Sequence, residues 1–140
     1  MHDASPIERL PSSLGYPFST AVRVGDIWEL SGQIGLLPGS NTLAPGGVGA
    51  ETGQALANIK AVLEQVGSTM SDVIKVGVFL ADIADFAEMN SVYATYFAPD
   101  DYPARSAVAV SGLALGARVE IECSALATSS VGNSGRTVRR

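Results

Sequence analysis

Apolar residues recur along this chain with two different periods. Between Ala50 and Val66, the residues Leu56, Ile59, Leu63 and Val66 return at steps of three and four. That spacing predicts one buried face on a helix of roughly four turns. Gly67 stops it. The next run, Val73–Leu80, alternates instead: Ile74, Val76, Val78 and Leu80 share one parity, and Val73, Gly77 and Phe79 the other. It reads as a strand that is apolar on both faces. Asp82 or Asp85 caps a second helix running to about Phe97, with Phe86, Met89, Tyr93 and Phe97 as its stripe. Pro99 and Asp100-Asp101 end it. Upstream, Ser19–Arg23 and Ile27–Ile34 read as strands joined by Val24-Gly25-Asp26, a hairpin turn. Ile7–Leu10 is a short first strand. The last two strands are Ala104–Ser111 and Arg118–Thr128, joined by a loop holding Gly112 and Gly116. Residues 35–49, with five glycines and two prolines, read as a loop.

The element order is therefore strand, strand, helix, strand, helix, strand, strand. It predicts an α+β fold with a mixed sheet of five to six strands and two helices on one face. Residues 1–128 form one domain. Residues 129–140, rich in Ser, Gly and Arg and without apolar period, form a disordered tail. Strands 73–80 and 104–111 carry apolar residues on both faces, and two helices cover only one of them. Self-association, with sheets facing each other, is the economical cover for the second face.

Composition agrees with a packed domain that meets copies of itself. Of 140 residues, 46% are hydrophobic and only 16% are charged. Charge is unevenly placed: all fourteen acidic residues precede position 123, whereas three of the nine basic residues are Arg136, Arg139 and Arg140. Six basic against fourteen acidic residues leave the body near −8, which repels phosphate backbones and argues against a nucleic-acid partner. The single cysteine, Cys123, rules out an intrachain disulfide and reads as a packed, inert thiol in a reducing compartment. One histidine, His2, and no cysteine cluster leave no zinc site. There is no apolar run long enough for a membrane span and no signal-peptide pattern, so the expected location is cytoplasmic.

The chemistry centres on Arg105. It opens a run of small apolar residues, Ala107, Val108, Ala109 and Val110, and the next nine residues supply no opposite charge. Such a run reads as a strand buried on both faces. An arginine in that setting stays ionised and takes an anionic partner. Either a carboxylate from elsewhere in the fold meets it, or the partner is a ligand. Ser31 has no histidine partner other than His2, so a serine-hydrolase triad is excluded.

Several short motifs then fall into one pattern. They are Ser31-Gly32-Gln33-Ile34, Asn58-Ile59, Val76-Gly77-Val78-Phe79 followed by Asp82, Asn90 with Tyr93 and Phe97, Pro103-Ala104-Arg105-Ser106, and Val119-Glu120-Ile121-Glu122. In this order and spacing the chain resembles the reactive-intermediate deaminase (RidA/YjgF) family, also called the L-PSP endoribonuclease family, over roughly residues 5–127. The resemblance implies a homotrimer of chorismate-mutase-like subunits with clefts between them. It implies hydrolysis of 2-imino or enamine acids to 2-keto acids and ammonia, with no metal and no cofactor. Arg105 would clamp the substrate carboxylate through two parallel bonds. Glu120 would orient water and move protons. Ser31 and Gly32 would offer backbone groups at the cleft wall, and Asn90 would lie near the neighbouring subunit's cleft. Many active members carry a tyrosine at the position of Phe18 and a cysteine at that of Ala107. These two departures imply an altered pocket, with a changed substrate preference or rate.

Simpler roles stand beside these. Arg105 fits a structural ion pair. Glu120 shares its parity with Glu122 and Ser124, as on a wet sheet face. Asn90 fits a solvent-facing helix position. A non-catalytic trimer that binds small carboxylates is the second function the residues allow. Ribonuclease action is a third, disfavoured by the acidic body and the lack of a histidine pair.

Overall fold

Residues 6–128 are described here by a computed structural model. Six strands form one mixed sheet: β1 (Ile7–Pro11), β2 (Ser19–Val24), β3 (Ile27–Ile34), β4 (Val73–Leu80), β5 (Ala104–Ala109) and β6 (Val119–Leu126). Their order across the sheet is β1-β2-β3-β6-β4-β5. Only β4 and β5 run parallel; every other pair is antiparallel. The parallel pair needs a crossover, and the second helix supplies it. β2 and β3 close with Val24 opposite Ile27, so Gly25 and Asp26 form the two-residue turn. Gly25 takes a left-handed φ of 60°, as such turns require.

Two helices, α1 (Val48–Gln65) and α2 (Phe86–Tyr93), cover one face. From α1, Leu56, Ile59 and Leu63 are buried, which is the face the three- and four-residue spacing predicts. Met89 and Tyr93 of α2 join them over Val76, Val78 and Leu80 of β4 and Val119, Ile121 and Cys123 of β6. Cys123 is buried, and burial pushes its thiol up to about 12, the inert state expected of it.

Several boundaries differ from expectation. α1 starts two residues early, at Val48, and Leu36 bridges Leu43 within the presumed loop. α2 is shorter than its apolar stripe, because tighter 3-10 turns flank it at Ile83–Asp85 and Ala94–Tyr96. Asp82 caps the first of these, its side chain accepting from Ala84 N at 2.9 Å. β5 ends at Ala109 and β6 at Leu126. The tail from Ser129 lies outside the described residues.

Two expectations need correcting. A register shift between Val73 and Lys75 turns Val73 into the core and leaves Ile74 exposed, reversing their predicted faces. β5 is also not buried on both sides within one chain. It is the edge strand, and its Val108 is 47% exposed. The helix-free face of the sheet carries Glu29, Lys75, Gly77, Phe79, Ser106, Val108 and Glu122. That mixture of charge and apolar surface is what the chain leaves uncovered.

The closest approach between α1 and the sheet is at Gly35, just beyond β3. A Cβ there would stand 2.6 Å from the carbonyl oxygen of Glu51 and 2.8 Å from its Cα. Both atoms belong to helix backbone and cannot swing aside. Glu51 is itself buried and accepts from the backbone N–H of Arg118 at 2.8 Å, which ties the start of β6 to α1. Gly35→Ala should therefore cost about 1–3 kcal/mol or more. Urea unfolding at a fixed protein concentration checks this; an unchanged midpoint would show that the helix shifts without penalty.

Candidate functional site

Arg105 is the second residue of β5. Its register partner is Val76, a core residue, so its side chain leaves the sheet on the helix-covered side. There it meets α2. The guanidinium carbon lies 4.6 Å from the centroid of the Tyr93 ring and 5.6 Å from that of Phe86. Nη1 donates to Asn90 Oδ1 at 2.7 Å. Phe86, Asn90 and Tyr93 are spaced four and three apart, so one helix face builds the whole cradle. Two aromatic faces and one amide oxygen stabilise a cation without neutralising it. Burial pushes the Tyr93 phenol up to about 12, against the opposing pull of Arg105, so its ring stays uncharged.

No carboxylate reaches Arg105 among the described residues; the ion pairs there are Arg23–Glu8 and Arg118–Asp85. The structural ion pair that the sequence left open is therefore not made within one chain. Asn90 holds the arginine, a contact that sequence spacing alone does not reveal. Ala107, opposite Val78, lies on the same side of β5 and packs against the edge of the core.

Glu120 stands elsewhere. On β6 it pairs with Phe79 and Ile34, one residue out of phase with the buried Val119 and Ile121. Its side chain leaves the sheet on the side opposite Arg105. It lies across Gly32: a Cβ at Gly32 would be 2.1 Å from Glu120 Oε2. The chain makes room through a second irregularity. The β3–β6 register shifts between Leu30 and Gln33, so Ser31 and Gly32 have no partner residue in the ladder. Ser31 Oγ donates to the carbonyl of Ser19 at 2.6 Å, which braces this bulge against β2. Glu122 rests over Gly77 in the same manner. Burial, with the neighbouring Glu122 charge as a second cause, raises the Glu120 carboxyl above its ordinary 4.5.

Glu120 and Gly32 form one wall of an open cleft of about 460 Å³. Leu14, Tyr16 and Phe18 line it from the segment between β1 and β2, and Leu115 from the loop before β6. Tyr16 and Phe18 are stacked, with ring centroids 5.9 Å apart and planes inclined by 15°. Leu115 has φ 58° and ψ 21°, a left-handed conformation that costs a leucine roughly 1–2 kcal/mol. Sequence reading misses it, since Gly112 and Gly116 on either side draw attention first. The end of its loop is pinned by Arg118, whose guanidinium meets Asp85 at 2.7 Å.

The predicted site residues thus fall into two groups. Arg105, Asn90 and Ala107 lie on the helix side of the sheet edge. Phe18, Gly32 and Glu120 share the cleft on the other side, and Ser31 supports it. One chain does not bring the groups together. Among the described residues no cluster of histidine, cysteine and carboxylate side chains has the arrangement of a metal site. No helix among them is long and apolar enough to cross a membrane.

Known proteins share this pattern closely. The family model described as Endoribonuclease L-PSP matches residues 10–127. The 2-iminobutanoate/2-iminopropanoate deaminase of Bos taurus is 45% identical over 118 residues, covering 84% of this chain and 85% of its own. The chloroplastic Reactive Intermediate Deaminase A of Arabidopsis thaliana is 41% identical over 116 residues, 83% of this chain and 61% of its own. Among solved structures, a putative endoribonuclease from Thermotoga maritima superposes with a TM-score of 0.78 at 38% identity, covering 91% of this chain and all of its own. The YjgF gene product of E. coli superposes at 0.75 with 34% identity, covering 86% of this chain and 94% of its own. The sheet order, the bulge at Ser31-Gly32 and the exposed Arg105 and Glu120 are accordingly those of a member of the endoribonuclease L-PSP family, the RidA/YjgF family to which this chain belongs.

Proposed function

We propose that this protein hydrolyses reactive 2-imino and enamine acids to 2-keto acids and ammonia, without a cofactor, at clefts between the subunits of a homotrimer. The observation that carries this is the state of Arg105: a fixed, ionised guanidinium without a counter-ion among the described residues, with donors left for an incoming carboxylate. Relatives 42–45% identical over 84% of this chain are named as deaminases of such imines. The trimer is supported by the uncovered sheet face and by the division of the site. Arg105 and Glu120 leave the sheet on opposite sides, so one substrate meets both only if a second subunit brings its cleft to the first subunit's β5 edge. A cytoplasmic location is supported by the lone reduced-type thiol.

The chemistry then runs between two protomers. Arg105 of one binds the carboxylate beside the C=N carbon. Glu120 of its partner orients a water and takes a proton as the water oxygen bonds to that carbon. The carbon becomes tetrahedral, bearing hydroxyl and amine. Protonation of the amine by the same carboxyl breaks the C–N bond. Ammonia leaves, the hydroxyl oxygen becomes the keto oxygen, and its proton returns the site to its starting state. The substrate is already electrophilic, so orientation and proton transfer suffice. A carboxyl raised above its ordinary range gives up its proton closer to neutrality, which suits a group that must both accept and donate. Phe18 and Ala107, which lack a hydroxyl and a thiol, favour a second reading in which the trimer binds small carboxylates without turnover. Imine loss, followed with an amino-acid oxidase generating the substrate in place, separates the two.

Three outcomes are expected of that assay. Arg105→Ala should abolish turnover while the protein stays folded, since a charge-assisted contact is worth about 1.5–3 kcal/mol. Arg105→Lys should recover little, lacking the planar fork; full activity in either variant removes the clamp. Glu120→Gln keeps the shape but cannot accept a proton, and should lower kcat by a factor on the order of 100 to 10,000. Its affinity for a stable 2-keto acid should survive. The pH profile gives the third. The base form of Glu120 is needed, so kcat/KM should fall on the acid side with a midpoint above 4.5. Removing the Glu122 charge by Glu122→Gln lowers the Glu120 pKa, so the acid limb should move to lower pH; an upward move or none would detach this pair from catalysis.

A further inference from the structure

We infer that the apolar collar beside Glu120 is the seat of the substrate side chain, and that the preferred substrates are 2-imino acids with a bulky aliphatic or aromatic side chain. This rests on the deaminase reading and narrows it. Leu14, Tyr16, Phe18 and Leu115 are each between 47 and 62% exposed, and all four line the cleft that holds Glu120 and Gly32. Large apolar groups gathered around a polar working group mark a binding surface rather than chance exposure. The Tyr16–Phe18 stack is already formed, so a planar or branched side chain meets a rigid wall. Leu115 is held left-handed at a position where glycine would be relaxed, and its loop is pinned at Arg118. Strain kept in a cleft-lining residue points to a use for that side chain. The cleft volume of about 460 Å³ lies in the range that encloses ligands well beyond a three-carbon acid.

The charges select in the same sense. Glu120 lies within the collar, and no lysine or arginine lines it, so an acidic side chain finds repulsion and no partner. The other occupant such a collar would suit is the neighbouring subunit itself. In that case the residues would govern assembly and not selectivity.

The test compares imines made by an amino-acid oxidase from alanine, leucine, phenylalanine and aspartate. The leucine- and phenylalanine-derived imines should show kcat/KM at least about tenfold above the alanine-derived one, as apolar pockets give roughly that for each added methylene. The aspartate-derived imine should be poorest. Leu115→Gly should lower the phenylalanine-to-alanine ratio by about tenfold while light scattering shows an unchanged assembly. A preference for the alanine-derived imine, or a ratio untouched by Leu115→Gly, overturns the inference. So does a Leu115→Gly protein that dissociates and loses all imines equally, which assigns the collar to the subunit interface. If the wild-type protein hydrolyses no imine, the deaminase reading fails, and calorimetry with phenylpyruvate and pyruvate still decides the collar. Tighter phenylpyruvate binding that Leu115→Gly abolishes supports it; equal affinities overturn it.

Discussion

A strand residue faces one side of its sheet, and that rule divides this protein's chemistry in two. Val76 opposite Arg105 sends the cation to the helix side; Phe79 opposite Glu120 sends the carboxylate to the other. No side-chain rotation takes either group through the sheet. The rest follows from this division. The guanidinium is cradled at an outer edge, the carboxylate lies in an open cleft, and a second copy of the chain is required to join them. Assembly thereby becomes part of the chemistry as well as the cover for the bare sheet face.

Each half is prepared by a different device. Arg105 keeps its full charge because its neighbours are an amide and two rings. A carboxylate in place of Asn90 would satisfy the guanidinium and compete with any acid that came to bind. Glu120 is held down on the sheet by the absence of a side chain at Gly32, and the β3 bulge positions that glycine. Its burial and the nearby Glu122 raise its pKa while Gly77 gives Glu122 the same low resting place. Two glycines on neighbouring strands therefore fix a pair of carboxylates whose mutual repulsion is put to use.

Much of this was legible in the sequence because it depends on local period. The α1 face of Leu56, Ile59 and Leu63, the limits Val73–Leu80 and the Gly25-Asp26 turn all follow from spacing and turn chemistry. Arg105 and Glu120 stood out through a lone charge and a family motif. What stayed hidden depends on partners distant in sequence. The shift that reverses Val73 and Ile74 exists only against β6, and the Ser31-Gly32 bulge only against the same strand. The edge position of β5 is set by strand order, which apolar content does not encode. Asn90 reveals its role only when α2 is laid beside β5, and the left-handed Leu115 has no compositional signal beside two glycines.

The division of the site across subunits is tested most directly by mixing two inactive chains. Arg105→Ala retains Glu120, and Glu120→Gln retains Arg105. Unfolded together, refolded at equal amounts and assayed for imine hydrolysis, they should recover about a quarter of wild-type activity, since random cyclic assembly leaves that share of interfaces with both groups intact. Each variant refolded alone should stay inactive. A mixture no more active than its components, in assemblies shown by mass to contain both chains, would contradict a site shared between subunits.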